Sequence, residues 1–301
     1  LIGLGHEVDS IYLHSKNLKG CLGCAKCKEK PDTIGCVQSL QKVTYSNAEI
    51  VVIDNGSTDD SVPRIQKQFS DVKIIELESN LFYGGGNNAG LEWAQKHGFE
   101  YVIFLNNDTT VEPDFLEPLL AGFDYSKAVG MVAPLMCYSA VPDIIWYGGG
   151  NINLWTGVVE HRYIRKNVST LESNPKITDY ITGCCLMMPT KLAVELGGFD
   201  LSFKMYGEDV DLSLRTRAAG YELLFVPESK IYHKVSASIG GEFAFSKLKR
   251  KLDGLLRIIA THAKWYQWAT ILVSQILLSF KYAFIYLKNR TANGNSTSAE
   301  S

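Results

Sequence analysis

The sequence predicts an α/β fold, a mostly parallel sheet flanked by helices and followed by a helical extension. Three observations carry that reading. Short apolar runs recur through residues 36–240, each nearly continuous, as strands covered on both faces must be. Amphipathic stretches separate them, which is the rhythm of βαβ units. The runs end in Asp, Asn or His, and open α/β sheets bind ligands at the carboxyl ends of their strands.

The elements follow in order. Glu7 to His14 reads as a strand and leads into a Cys/Lys/Gly-rich loop, Cys21-x2-Cys24-x2-Cys27, with Cys36 beyond it. A short helix follows at Cys36–Leu40. Glu49–Asp54, Val72–Leu77, Tyr101–Leu105 and Met131–Met136 read as strands. A helix over Lys191–Leu196 runs into the loop Gly197–Asp200. Another starts at Gly207-Glu208-Asp209 and runs to Ala219, where Gly220 ends it, and Lys230–Tyr232 is strand-like ahead of His233. Residues 243–290 read as helical and become strongly apolar, and the Asn/Ser/Thr-rich tail from Thr291 to Ser301 reads as disordered. No internal repeat is visible.

Composition narrows the function classes. In 301 residues, 46% are hydrophobic and 21% charged, which is globular. A formal net charge of -2 argues against a nucleic-acid partner, which favours a basic excess. No basic stretch followed by an apolar run opens the sequence, so no signal peptide is expected. Without export, seven cysteines point away from disulfides. The crowded Cys21, Cys24, Cys27 and Cys36 are then either free thiols or ligands of an iron–sulfur cluster or zinc.

Four polar segments are candidates for chemistry. Asp54-Asn55-Gly56-Ser57 follows a strand directly; it reads either as a turn in which Ser57 or Thr58 caps the next helix, or as a carboxylate facing a nucleobase or ribose. Asn106-Asn107-Asp108 also ends a strand, where Asp108 is placed either to hold a hard cation or to close an Asx turn. Gly84-Gly85-Gly86-Asn87-Asn88 precedes the amphipathic stretch Leu91–Gln95, and glycines ahead of a helix let N–H groups approach a phosphate. Glu208, Asp209 and Asp211 lie in a first helical turn, where the helix dipole keeps them ionised. Asp211 and Arg215 stand at i,i+4 and can pair, and an ionised carboxylate beside a cleft can act as general base. His233 alone is more often a packing residue than a ligand.

Taken together, these segments resemble glycosyltransferase family 2, in its rhamnosyltransferase-like branch, from about Cys36 to Ser238. The matches are DNGSTD at Asp54–Asp59, YGGGNN at Tyr83–Asn88, a DXD-like NND at Asn106–Asp108, GGFDxxFxMYGEDVDLxxR at Gly197–Arg215, and a histidine before a Ser-containing loop at His233–Ser238. The resemblance implies a GT-A fold and an inverting transfer of a sugar, rhamnose being one option, from a nucleotide-diphosphate donor to a hydroxyl in cell-surface polysaccharide assembly. It implies Mg²⁺ or Mn²⁺ held by Asp108 with His233. Asp209 becomes the base, with Glu208 as its alternate. Asp54, Asn55, Gly56, Ser57, Gly85, Gly86, Asn87, Asn88, Asn106 and Asn107 contact the donor, and Gly198, Phe199 and Asp200 form the acceptor loop. A saccharide or lipid-linked acceptor fits.

The first strand of that family is missing. In its place, residues 1–35 resemble a fragment of the NAD(P)H-dependent flavin reductases and iron–sulfur flavoproteins of flavodoxin-like fold. No flavin phosphate loop precedes the fragment, so no flavin is expected. Glu7–Leu13 is available to fill the empty strand position, since the order strand–loop–helix–strand is kept. If it does not, the chain reads as an inactive remnant, or as a chimera with a redox or metal-binding cysteine loop. The organisation is then residues 1–35, a transferase domain over 36–240, C-terminal helices over 241–290 and a tail over 291–301. Trp265–Leu287 is long enough to span a bilayer, but its Trp and Tyr content and the basic run Lys247–Lys251 suit an interfacial helix better. That places the protein in the cytoplasm, on the inner face of the membrane.

Overall fold

In the computed structural model the backbone is described for residues 10–15, 35–234 and 242–278, and the side chains for 37–234 and 249–278. Among the described residues one ten-stranded mixed sheet organises the chain. Its strands are β1 (Ser10–Ser15), β2 (Glu49–Asp54), β3 (Lys73–Glu76), β4 (Tyr101–Asn106), β5 (Thr109–Val111), β6 (Val129–Tyr138), β7 (Val141–Tyr147), β10 (Lys176–Thr178), β11 (Cys185–Pro189) and β12 (Glu222–His233). A separate hairpin pairs β8 (Gly150–Asn153) with β9 (Val158–His161). The helices are α1 (Gly35–Leu40), α2 (Ser61–Gln68), α3 (Phe82–His97), α4 (Leu116–Gly122), α5 (Thr190–Glu195), α6 (Glu208–Ala218) and α7 (Glu242–His262).

The strand order is β10-β12-β6-β11-β4-β1-β2-β3, with β5 on β12 and β7 on β6. From β4 to β3 the sheet is parallel, and β11 turns antiparallel between β4 and β6. In β4, Val102, Ile103 and Phe104 are fully buried, as expected of a central strand covered on both faces. Truncating Phe104 to alanine is expected to cost about 3–5 kcal/mol.

The empty strand position is filled. β1 lies parallel between β2 and β4, with Ser15 opposite Asp54 and His14 opposite Asn106. The strand sits at Ser10–Ser15, a few residues beyond the predicted Glu7–Leu13. Its backbone completes the parallel half of the sheet, and the strand ends of β1, β2 and β4 come level with one another. Cys21, Cys24 and Cys27 lie outside the described residues, as does the tail from Thr291. Cys36 stands in α1, and its side chain is likewise outside them.

Two expectations change. The glycine run does not form a phosphate loop before a helix: Gly84, Gly85 and Gly86 lie inside α3 and are buried. They serve close packing, since a Cβ on Gly84 would stand 3.2 Å from the Cβ of Phe199. Nor do Ser57 or Thr58 cap α2. The N-cap position is Asp60, which makes no side-chain cap, and Asp59 one residue earlier accepts from the Ser61 N–H with its Oδ1 at 3.1 Å. α3 ends as a helix should, with Gly98 at φ +79° and the Phe99 N–H returning to the Ala94 oxygen.

Candidate active site at the strand ends

The parallel half of the sheet ends in Asp54 on β2 and Asn106 on β4, with β1 between them, and loops from the antiparallel half close over the same edge. Asp54 is buried, and its Oδ2 accepts from the Ser57 N–H at 3.0 Å, which folds the turn back on the strand. Asn55 is consumed by structure. Its Nδ2 donates to the Asn80 Oδ1 and the Phe82 oxygen at 3.1 and 2.9 Å, and its Oδ1 accepts from the Leu81 N–H at 2.8 Å. It ties the end of β2 to the start of α3 and has little left for a donor. Gly56, at φ +75°, passes so close to Ser79 that a Cβ would lie 2.8 Å from backbone.

Asp108 follows β4 in the tight connection to β5. The backbone fixes it from both sides: the Asn106 N–H donates to the Cys184 oxygen at 2.9 Å, and the Lys234 N–H donates to the Asp108 oxygen at 2.8 Å. Asn107 occupies the same turn. Pairing of β5 with β12 sets Thr109 opposite His233, so the histidine arrives beside the aspartate. His233 Nε2 lies 3.2 Å from Asp108 Oδ1, a close contact that forms no hydrogen bond. Asp108 Oδ1 and His233 Nδ1 are buried, and among the described residues neither has a hydrogen-bond partner. A divalent cation relieves such a pair, because a carboxylate and a neutral imidazole both offer it lone pairs. Among the described residues no cluster of three or more His, Cys, Asp or Glu side chains forms a metal site.

Asp209 comes from the other side of the same edge. It stands in the first turn of α6, half-buried, and its Oδ2 accepts from the Gly183 N–H at 2.9 Å. The Tyr83 hydroxyl donates to the oxygen of the same Gly183. That close fit leaves no room for a side chain, since a Cβ on Gly183 would lie 2.6 Å from the tyrosine oxygen. Gly183 and Cys184 thus join Asp209 to the Asn106–Asp108 turn. The Cys184 thiol records the juxtaposition: burial pushes it well up, and the charges of Asp108 and Asp209 push the same way. Glu208 is buried beside them, and Tyr83 is raised first by burial and then by Glu208 and Asp209.

The predicted acceptor loop is held directly by Asn88 and Arg215, and Arg215 is backed in turn by Asp211 and by one residue missed in the sequence. Asn88 clamps Phe199 in both directions: its Oδ1 accepts from the Phe199 N–H and its Nδ2 donates to the Phe199 oxygen, both at 2.8 Å. Asn88 is therefore a loop clamp, and this amide does not reach a donor. Gly198, at φ +64°, leaves the space the clamp needs. Arg215 donates to the Leu196 and Gly198 oxygens at 2.6 and 2.8 Å. Its partner is Asp211, as the i,i+4 spacing predicts, at 2.7 Å. The missed residue is His262 of α7, whose Nε2 lies 2.7 Å from the other oxygen of Asp211. Asp200 caps its own turn by accepting from the Ser202 N–H at 2.8 Å. Asn87 is fully buried, its Nδ2 donating to the Tyr83 oxygen at 3.0 Å.

Trp146 was also missed. Its ring packs edge-on to His233 at 4.2 Å and to His161 at 4.7 Å, forming a wall behind the Asp108–His233 pair. Nothing in the local sequence marks it, because β7 carries no regular alternation.

A sheet of this order, with acidic residues gathered where parallel strands end, defines a nucleotide-sugar transferase fold of the GT-A type. Two solved structures share it: GalNAc-T7 with UDP, GalNAc and Mn²⁺ (TM-score 0.62, 19% identity, 85% of this chain and 48% of that one) and Staphylococcus aureus TarS (TM-score 0.55, 17% identity, 87% and 41%). The profile of Glycosyl transferase family 2 matches residues 27–196, and the chain belongs to that family. Among curated relatives, the N-acetylglucosaminyl-diphospho-decaprenol L-rhamnosyltransferase of Mycobacterium tuberculosis is 25% identical over 257 residues, covering 76% of this chain and 80% of the relative. The O-antigen biosynthesis protein RfbC of Myxococcus xanthus is 26% identical over 223 residues; the match takes in 70% of this chain but spans only 17% of RfbC. The flavin-reductase resemblance of residues 1–35 is not borne out: the family match already begins at residue 27, and β1 is built into the transferase sheet.

Proposed function

We propose that this protein is an inverting glycosyltransferase that moves a sugar from a nucleotide-diphosphate donor to an acceptor hydroxyl in cell-surface polysaccharide biosynthesis. The observation that carries the reading is the meeting of Asp108, His233 and Asp209 across one short backbone bridge, Gly183–Cys184. Residues 36–240 form the catalytic unit in this reading, with β1 lent by the segment before it and the C-terminal helices packed after it. Rhamnose is the sugar the Mycobacterium relative supports.

The roles divide by position. Asp54 faces the nucleoside from the end of β2. Asp108 Oδ1 and His233 Nε2, 3.2 Å apart, would together hold Mg²⁺ or Mn²⁺. When bound, the ion neutralises charge on the leaving diphosphate. Asp209, in the first turn of α6, takes the acceptor proton, its carboxylate aimed by the Gly183 N–H. Glu208 is the alternate base. The loop Gly198–Phe199–Asp200, fixed by Asn88 and Arg215, presents the acceptor. Removing either Asp108 or Asp209 by alanine is expected to lower transfer by about 100-fold or more. Unchanged transfer in either variant would end the proposal.

The acceptor side faces a membrane surface in this reading. Among the described residues no helix is long and apolar enough to cross a membrane. Yet Trp265 is 85% exposed and Leu272 is 64% exposed, with Trp268, Val273 and Leu277 also outward, and the basic residues Lys249–Lys251 earlier in the same C-terminal region are exposed as well. An apolar face next to cations is the signature of an interfacial helix on an anionic surface. Co-sedimentation with anionic vesicles, lost in Trp265→Ala/Trp268→Ala, is the expected result; equal binding of wild type and variant would remove this part of the reading.

A further inference from the structure

A cleft of about 830 Å³ opens between the loop that precedes α6 and the middle of α7. It is no part of the strand-end site, yet it borders it: Met205 and Tyr206 line the cleft, and Gly207, Glu208 and Asp209 follow them directly. Phe82, at the opposite rim, is the residue before Tyr83. Phe82 and Tyr206 both hold left-handed backbone, at φ 60° and 70°. Non-glycine residues keep such conformations where the surroundings impose them, and ligand clamps are one such place.

The lining is cationic and apolar at once. Lys204, Arg250 and Arg257 face Asp253, the only carboxylate among the described residues of the lining. The two arginines rest on soft partners. Arg257 lies over the Phe203 ring at 5.7 Å, and Arg250 Nη1 reaches the Met205 sulfur at 3.6 Å. Among the described residues, none of the three cations forms a salt bridge. Guanidinium forks seated this way keep donors for an oxyanion, and paired forks suit a diphosphate better than a single charge. Leu256 adds an apolar wall and is 58% exposed; Leu252, also on α7, is 50% exposed. A ligand for this lining carries a multiply charged anionic head and an apolar tail.

We propose that the cleft binds the diphosphate and first apolar segment of a lipid-diphosphate-linked acceptor, with Arg250 and Arg257 on the diphosphate and Leu256 along the tail. The assignment rests on the glycosyltransferase reading and names the acceptor class for it. Bound here, the diphosphate anchors the acceptor beside the start of α6, where its sugar has only to reach Asp209.

The test is direct binding by calorimetry on the whole chain, without metal. The probes are farnesyl diphosphate, farnesol and inorganic diphosphate, with phosphatidylglycerol vesicles as a fourth arm. Farnesyl diphosphate is expected to bind at least tenfold more tightly than either half of the molecule. Arg250→Gln/Arg257→Gln is expected to weaken it at least tenfold while keeping nucleotide binding in Mn²⁺, which shows that the variant is folded. Asp108→Ala should leave farnesyl diphosphate binding unchanged. Undiminished binding in the double variant overturns the proposal. So does loss of binding in Asp108→Ala, which would place the probe in the donor site. Vesicle binding that falls in the double variant, with no binding of farnesyl diphosphate, overturns it in favour of a general membrane contact. Farnesyl diphosphate binding in a wild type that binds no nucleotide would instead sink the transferase reading and leave the cleft as a lipid-diphosphate site.

Discussion

Replacing Asp211 by alanine should unseat the acceptor loop from a distance. Asp211 is 1% exposed and accepts from two basic side chains, Arg215 at 2.7 Å and His262 at 2.7 Å. Deleting one member of a buried pair strands the other, typically at about 3–5 kcal/mol. The Arg215 side chain keeps 26% of its surface in water, which places the expected cost near the lower end, about 3 kcal/mol. In a domain of this size that corresponds to a fall of about 6–12 °C in Tm. Arg215 also holds the Leu196 and Gly198 oxygens, so transfer should weaken through the loop even though Asp211 touches no substrate. Thermal unfolding of Asp211→Ala, His262→Ala and the double variant measures this, with a His262–Asp211 coupling of about 1 kcal/mol or more expected. Acid adds a second reading. Burial pushes the Asp211 carboxyl up, but hydrogen bonds from His262 and Arg215 outweigh it and hold the carboxyl below its ordinary range. A depressed folded pKa stabilises above the unfolded value, about 4, and that stability is lost as pH falls through the folded value. The gap between wild type and Asp211→Ala should thus be full near pH 6 and close in acid. A loss under about 1 kcal/mol at pH 6 would refute the reasoning, since it would mean the pair is no better than a surface contact.

Two further outcomes follow from the same packing. Gly254→Ala puts a Cβ onto the backbone oxygen of Tyr206, which cannot swing away, so it should destabilise by about 1–3 kcal/mol and raise the KM for acceptor more than for donor; an unchanged urea midpoint would count against the tight seating of α7. His161 is held below its ordinary pKa by burial, which outweighs its contact with the Trp146 oxygen. Below about pH 6.5 the unfolded chain therefore takes up a proton that the folded chain refuses. Stability should fall between pH 7.5 and 5.5, and His161→Gln should flatten that fall; parallel pH profiles for the two proteins would contradict it.

Much of the sheet was legible because its strands are dense in β-branched and aromatic residues. Glu49–Asp54 coincides with β2, and Tyr101–Leu105 stops one residue short of β4. The strands β7 to β10 were not, since segments of three to seven residues with broken alternation give no period to read. The carboxylates Asp54 and Asp108 at strand ends and Asp209 in a helix's first turn were legible as types at positions. What their neighbours do was not. Asn55 and Asn88 read as donor contacts, and both spend their amides on backbone across the fold. The glycines of α3 read as a loop because glycine is a poor helix former, and tertiary packing against Phe199 overrode that preference. His262 carries no local signal at all, because its partner lies 51 residues earlier in the chain.

The central claim is that the strand-end site, completed by β1, binds a nucleoside diphosphate through a cation on Asp108 and His233. Thermal unfolding with Mn²⁺, with and without uridine or deoxythymidine diphosphate, tests it most directly. At a hundredfold excess over the dissociation constant, the nucleotide should add about 2.7 kcal/mol of stability. The account predicts that this gain requires the metal and vanishes in Asp108→Ala. A gain with no metal requirement, or one that survives Asp108→Ala, would contradict it.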